Sequence, residues 1–364
     1  MNRNFGIIEL YCGGSGKIGF YNNQELGIAK AMTKLGYNCF VFYPDIANKT
    51  IIEEKYDEIT VVKCPAKHIG VHGYFDLDIL KKYHISYAQI GSDNQLFAPE
   101  VIKYCEKNSI VFYNYVGTIK SDTDNMMKAI ISSFLMKRNI YYYRRSKCFA
   151  KTNSVVKELK EYNCDSEIAH VGLDISFIPK TLKDPLELKK QLGIPFDRKI
   201  LLFIGRMEQY KRPFSMLKLL DKNEDYYGII IGTGSLSNDV NRFVEEKLAN
   251  RVKRIERIEN KEIHNFYKIA DYYLNFNEKE IFGMGMLEAM YQGCNVIAIM
   301  SPGATEIVKN RKTGYIVNNI TEMTEIIDQN QKCDKEVIIQ SIFDDFIWEK
   351  TVISFDKWLK KMID

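Results

Sequence analysis

Two glutamates, Glu280 and Glu288, stand at the rims of the stretch Glu280-Ile281-Phe282-Gly283-Met284-Gly285-Met286-Leu287-Glu288. It follows Tyr272-Tyr273-Leu274-Asn275-Phe276, an apolar run that reads as a buried strand, and opens a helical pattern that Gly293 ends. At a strand, loop and helix junction the first helical amides have no internal acceptor and carry partial positive charge, so an anion such as a diphosphate can bind there. Glu280 precedes that anion site and Glu288 lies about one turn inside the helix. Each carboxylate can accept hydrogen bonds from hydroxyls flanking the phosphates. Hydroxyl, diphosphate, hydroxyl is the outline of a nucleotide sugar. Two glutamates at this spacing also occur as ordinary surface residues bordering a helix start.

Two more segments carry groups suited to the same ligand. The apolar run Lys199 to Ile204 ends at Gly205-Arg206, with Lys211 shortly after. In open α/β sheets the loops beyond the carboxyl ends of the strands form the ligand crevice. A guanidinium can fork onto two phosphate oxygens and an ammonium adds a compact charge, so Arg206 and Lys211 are candidates to hold a departing diphosphate. Taken singly, they read as solvated surface cations. Near the start, Gly13-Gly14-Ser15-Gly16 follows the first apolar run, where glycines let backbone amides approach a phosphate. It is no P-loop, since Tyr11 takes the place of the first glycine and Ile18 that of the magnesium-binding Ser or Thr. The G-x-G-x-x-G spacing is absent too.

These segments need a scaffold, and the chain supplies alternating apolar runs and amphipathic stretches, the pattern of βαβ units. Phe5 to Tyr11, Cys39 to Tyr43, Ile85 to Ile90 and Ile110 to Tyr115 read as strands of a first series. Lys199 to Ile204, Tyr227 to Ile231, Tyr272 to Phe276 and Val296 to Met300 form a second. Leu26, Ala29, Met32 and Leu35 share one helical face that Gly36 ends. Trp348, Val352, Phe355 and Leu359 mark a long helix from Trp348 to Met362. The proline-rich stretch from Ile175 to Phe196 reads as the join. The fold class is therefore α/β, with two doubly wound parallel-sheet domains. Their expected limits are residues 1–180 and 181–345, with 346–364 a C-terminal helix crossing back to the first domain.

A chain of 364 residues calls for two cores, and 46% apolar residues can fill both. The formal charge of +4 is spread along the chain, which favours anionic ligands mildly and leaves no tract for DNA or RNA. Eight scattered cysteines, without metal-ligand spacing or C-x-x-C pairs, read as reduced intracellular thiols. No signal-peptide pattern opens the chain, and no run approaches the roughly 20 apolar residues of a membrane span. The expectation is a cytoplasmic protein with no metal and no cofactor. The run Arg138 to Lys147, with Tyr141-Tyr142-Tyr143-Arg144-Arg145, suits either a half-buried helix with a solvated face or peripheral contact with an anionic membrane surface.

Taken together, the motifs resemble those of the retaining glycosyltransferases of sequence family 4, the group 1 glycosyltransferases, which have the GT-B fold. Gly205-Arg206 with Lys211, Gly232-Thr233-Gly234, Glu280 to Glu288, Gly303-Ala304-Thr305-Glu306-Ile307-Val308 and Thr313-Gly314 follow the family's order and approximate spacing. Gly13-Gly14, Val171-Gly172-Leu173-Asp174 with Phe177 and Pro179, and Phe346-Ile347-Trp348-Glu349 resemble its remaining landmarks. The resemblance implies two Rossmann-like domains facing across a cleft, the first on the acceptor side and the second binding the donor. It implies Arg206, Lys211 and Glu280 as the catalytic candidates, with Glu280 on a sugar hydroxyl. Donor binding would fall to Glu288 at the ribose, to Phe282, Gly283 and Met284 through their amides, to Arg257 and Ile258 near the base, and to Gly14, Ser15 and Gly16. Many relatives carry a histidine after the strand that here reads Ser109 to Gly117. This chain has none there, and Asn114 or Tyr115 stands at the acceptor side instead.

The implied reaction is retaining, metal-independent transfer of a sugar from a nucleotide sugar, UDP-sugar favoured, to a hydroxyl of a glycan, lipid-linked or small-molecule acceptor. The alternatives are a nucleotide-sugar epimerase or phosphorylase on the same fold, or a non-catalytic nucleotide-sugar binding module.

Overall fold

The structure, a computed structural model, describes residues 3–13, 24–119, 126–176, 178–179 and 183–362. The chain divides into two compact units, Met1–Gly172 with Ile347–Asp364, and Leu173–Phe346. The division falls ahead of the proline-rich stretch rather than within it.

In the first unit the described strands are β1 (Asn4–Ile8), β2 (Asn38–Asp45), β3 (Ile52–Tyr56), β4 (Ile59–Ile69), β5 (His72–Phe75), β6 (Tyr87–Gly91), β7 (Val111–Val116), β8 (Lys147–Ala150) and β9 (Ser166–Ile168). Their order is β3-β4-β2-β1-β6-β7-β8-β9, with β5 paired to β4. β3 and β5 run antiparallel to β4 and the other pairs are parallel. β1 is buried throughout because it is central and covered on both faces. Parallel register puts Ile7 beside Val41 and Gln89, and Gln89 beside Tyr113, so these side chains share one face. Ile8, Phe42, Ala88, Ile90, Val116 and Cys148 belong to the core on the other.

The first face is covered by the helices Gln24–Lys34 and Trp348–Lys361. Phe355 of the latter stacks on Tyr113 with centroids 4.7 Å apart and meets Phe149 edge-on at 4.8 Å. Full burial of such a side chain contributes about 1.5–3 kcal/mol. Gly27 leaves room for Trp348, whose Nε1 would lie 2.2 Å from an added Cβ. Lys34 pairs with Glu349 at 2.6 Å, and the Tyr37 hydroxyl donates to Asp356 at 3.0 Å. The C-terminal helix is thus part of the first unit's core.

In the second unit β10 (Lys199–Ile204), β11 (Tyr226–Ile231), β12 (Val252–Ile255), β13 (Tyr272–Asn275), β14 (Asn295–Ile299) and β15 (Tyr315–Val317) form a parallel sheet ordered β12-β11-β10-β13-β14-β15. This is the Rossmann order. It reverses direction between β10 and β13, and the crevice at such a switch point is where ligands bind in open α/β sheets. In the first unit the order reverses between β1 and β6.

Candidate functional site

The loops after β10 and β13 bring Arg206, Lys211 and Glu280 to the switch point of the second sheet. Lys211 Nζ lies 2.5 Å from Glu280 Oε2, with the two side chains 23% and 15% exposed. Asn277 Nδ2 donates to the same carboxylate oxygen at 3.2 Å. Arg206 is exposed, with its guanidinium 5.3 Å from the centre of the Tyr210 ring, and Lys211 Nζ is 5.5 Å from the same ring. An aromatic face so placed holds both cations at the loop surface. Among the described residues Arg206 has no carboxylate partner, so its charge is available to an anion.

The loops are shaped by glycines and by residues the sequence reading passed over. Gly232 has φ +134°, and a Cβ there would lie 1.9 Å from the Gly205 carbonyl. Gly234 is pressed against Met207 in the same way, with a Cβ 2.5 Å from its carbonyl oxygen. The Gly232-Thr233-Gly234 turn therefore braces the Arg206 loop, and Met207 N donates to Thr233 O at 3.0 Å. Arg254 ties this turn down, donating to Gly232 O at 2.6 Å and Ile255 O at 2.6 Å; burial lowers its pKa. On the other side, Asn275 Oδ1 accepts from Asn277 N and Asn277 Oδ1 from Lys279 N, two local turns that aim Glu280. Asn275, Asn277 and Arg254 act through geometry alone, and the one available sequence signal was the Asn-x-Asn spacing directly after an apolar strand.

Gly283, at φ +97°, caps the helix Met284–Tyr291 and turns the chain from the Glu280 loop into it. Gly303 lets that loop lie flat, since a Cβ there would be 2.4 Å from Phe282 O, while Gly303 N donates to Glu280 O at 2.6 Å. Phe282, Gly283 and Met284 are half-buried at the helix start. Glu288 is 3% exposed and accepts from the Tyr267 hydroxyl at 2.9 Å, so it is no ordinary surface residue. Arg257, exposed, and Ile258, half-buried, lie in the loop after β12 at the carboxyl edge of the same sheet. Gly14, Ser15, Gly16 and Phe177 lie outside the described residues.

In the first unit, Asn114 and Tyr115 are separated by the strand pleat. Asn114 is fully buried on the core face, its Oδ1 accepting from Ser92 Oγ at 3.0 Å and its Nδ2 donating to Ser146 Oγ at 2.6 Å. Its carboxamide is thus engaged within the core. Tyr115, on the opposite face, lines a cavity at the carboxyl ends of the strands. The run Arg138 to Lys147 is the half-buried helix end. Arg138 pairs with Glu100, Arg145 pairs with Glu106 at 2.6 Å, Arg144 Nε donates to Tyr162 O, and Tyr143 is 1% exposed. All eight cysteines are free thiols, and among the described residues no helix is long and apolar enough to cross a membrane.

Residues 185–336 match the family described as glycosyl transferases group 1. The chain is similar to D-inositol 3-phosphate glycosyltransferase of Corynebacterium diphtheriae, 27% identical over 181 residues that cover 46% of this chain and 42% of the relative. It is also similar to N-acetyl-alpha-D-glucosaminyl L-malate synthase of Bacillus anthracis, 25% identical over 48% of each chain. The chain thus spans about half the length of the curated relatives it matches. Among solved structures, it shares its fold with a glycosyltransferase from Rickettsia africae, with a TM-score of 0.74, 17% identity and 100% and 99% of the two chains covered. The Anabaena protein HepE in complex with UDP-glucose gives a TM-score of 0.71 at 15% identity over 98% and 99%. Residues 185–336, which carry Arg206, Lys211, Glu280 and Glu288, thus match the group 1 glycosyl transferase family model, and the chain has the GT-B fold of these solved structures.

Proposed function

We propose that this protein is a retaining glycosyltransferase that moves a sugar from a nucleotide diphosphate donor, UDP-sugar foremost, to a hydroxyl acceptor. The observation that carries the reading is the cation pair at the switch point of the second sheet: Arg206, without a carboxylate partner among the described residues, and Lys211 held 2.5 Å from Glu280. Arg206 and Lys211 receive the diphosphate, and the amides at Phe282, Gly283 and Met284 add the positive end of a helix. Glu280 accepts a hydroxyl of the donor sugar, while the Glu288 carboxylate is suited to the ribose. The loop at Arg257 and Ile258 flanks the base. HepE, of the same fold, is described in complex with UDP-glucose, which supports uridine as the first base to test.

In the reaction the bond from the anomeric carbon to the β-phosphate oxygen breaks, and its electron pair stays on the diphosphate. The acceptor oxygen bonds to the same carbon on the same face, and its proton passes to the leaving phosphate oxygen. Charge grows on that phosphate, where fixed cations lower the barrier. Two cations and a helix start neutralise the diphosphate without a metal, so turnover is expected to persist in EDTA. The test is UDP release from a panel of UDP-sugars. Arg206→Ala should lower it by about 10²–10³ with the fold intact, and a near-normal rate would overturn the reading.

Peripheral contact with an anionic membrane is the second part of the reading. It is supported by the helix Met126–Tyr143, where Met126, Met127, Ile130, Ile131 and Phe134 are all exposed at helical spacing. Salt-sensitive sedimentation with anionic vesicles checks it, and a chain that stays in the supernatant refutes it.

A further inference from the structure

The first unit has its own switch point, between β1 and β6, and a cavity of about 470 Å³ opens there. Strand register builds it. Glu9 lies one pleat repeat beyond Ile7 on the face shared with Gln89, Tyr113 and Tyr115, and Lys151 follows β8 on the same face. The start of the helix Gln24–Lys34 adds Glu25, and the segment after β6 adds Asp93 and Gln95. Two glycines make the space: a Cβ on Gly91 would lie 2.6 Å from Glu9 Oε1, and one on Gly117 would lie 2.8 Å from Lys151 Cδ.

Three carboxylates thus face one ammonium. Lys151 is committed to Asp93 at 3.0 Å, and Glu25 accepts from the Tyr43 hydroxyl at 3.2 Å. Glu9 has no hydrogen-bond partner for its carboxylate among the described residues. Burial, then the nearby Glu25 carboxylate, hold the Glu9 carboxyl well above its ordinary pKa. Burial alone would lower the Lys151 ammonium, yet Asp93, Glu9 and Glu25 together raise it. Carboxylates thus outnumber the ammonium three to one, and a cationic ligand would relieve their mutual repulsion. Two side-chain amides are also left open. Gln89, 1% exposed, accepts from Tyr113 Oη at 2.9 Å, and Gln95, 6% exposed, is bonded through Oε1 to His72 Nδ1 at 2.8 Å. Their Nε2 groups have no partner among the described residues, and both residues line the cavity. An amide N–H open to the cavity can donate to a ligand oxygen.

We propose that this cavity binds a polyhydroxylated small molecule carrying one ammonium group, an amino sugar or aminocyclitol, with Glu9 on the ammonium and Gln89 and Gln95 on hydroxyls. On the transferase reading, on which this part rests, that ligand is the acceptor or its terminal residue. Anionic acceptors are disfavoured by the same three carboxylates.

The test is calorimetric titration of the full chain with D-glucosamine, D-glucose and D-glucose 6-phosphate near neutral pH, with UDP titrated in parallel. Glucosamine should bind about tenfold or more tightly than glucose, the scale of one charge-assisted hydrogen bond, and glucose 6-phosphate weakest. Glu9→Gln should abolish the preference while its unfolding transition persists. Should that variant not fold, Glu25→Gln, whose amide oxygen can still accept from Tyr43, should reduce it. Equal binding of glucosamine and glucose, tightest binding of the phosphate, no binding of any of the three, or a preference that survives in the folded variants would overturn the proposal. Intact UDP binding alongside any of these results sinks this inference alone, and loss of UDP binding as well sinks the transferase reading.

Discussion

Replacing Lys211 with methionine isolates the role of the cation pair. In the protein Lys211 Nζ is 2.5 Å from Glu280 Oε2, and the side chains are 23% and 15% exposed. The substitution keeps the stem and removes the charge, leaving Asn277 Nδ2 at 3.2 Å as the remaining side-chain partner of Glu280 that the structure defines. An exposed pair contributes about 0–1 kcal/mol and breaking a buried one costs about 3–5 kcal/mol, so a partly buried pair should cost roughly 1–2 kcal/mol of stability. The effect on ligand is larger. One hydrogen bond to a charged group is worth about 1.5–3 kcal/mol, which corresponds to roughly 10- to 150-fold weaker UDP binding. Glu280→Gln should act with opposite sign: it frees Lys211 from its competitor and leaves UDP affinity equal or tighter, while UDP release from a UDP-sugar falls. Titration calorimetry with UDP and with uridine reads both, and the Lys211 variant should lose only the UDP component. A folded Lys211→Met that binds UDP within about threefold of the parent would refute the reasoning.

Gly232→Ala should destabilise the second unit by about 3 kcal/mol or more, or abolish UDP binding, because the added Cβ meets the Gly205 carbonyl at 1.9 Å and φ is +134°; thermal unfolding monitored with and without UDP checks it. His264 sets a pH dependence. It is 1% exposed, burial lowers its pKa from the ordinary 6.5 to about 4, and Gln292 is its partner at 3.4 Å. As pH falls the unfolded chain binds this proton first, so stability present above about 6.5 is lost progressively down to about 4, by up to about 3 kcal/mol. Denaturant unfolding across that window should show a flatter loss in His264→Phe than in the parent, and parallel curves would contradict the assignment.

The second unit was more legible in the sequence than the first, for physical reasons. Lys199–Ile204 forms the strand its apolar run indicates, because a central parallel strand is buried on both faces. The hairpin around β3 went unread: Ile52–Tyr56 is an edge strand with mostly exposed side chains and no apolar run. Arg206, Lys211, Glu280 and Glu288 stand out as candidates in the sequence because each sits beside a glycine or an apolar boundary that marks a strand end. Arg254, Asn275 and Asn277 were not, since what they bond to is backbone brought near by the turns. Glu9, Glu25, Asp93 and Lys151 come from separate segments, and only the tertiary fold of the first unit assembles them. The pleat gives Asn114 and Tyr115 opposite faces, which sequence adjacency hides.

The central claim is that the second unit holds a nucleotide diphosphate sugar at the switch point between β10 and β13. A crystal structure of the full chain grown with UDP-glucose tests it most directly. The account predicts the β-phosphate within hydrogen-bond distance of Arg206 and Lys211 and against the start of the helix Met284–Tyr291, with the sugar beside Glu280. A diphosphate bound elsewhere on the second unit, with Arg206 and Lys211 facing solvent, would contradict it.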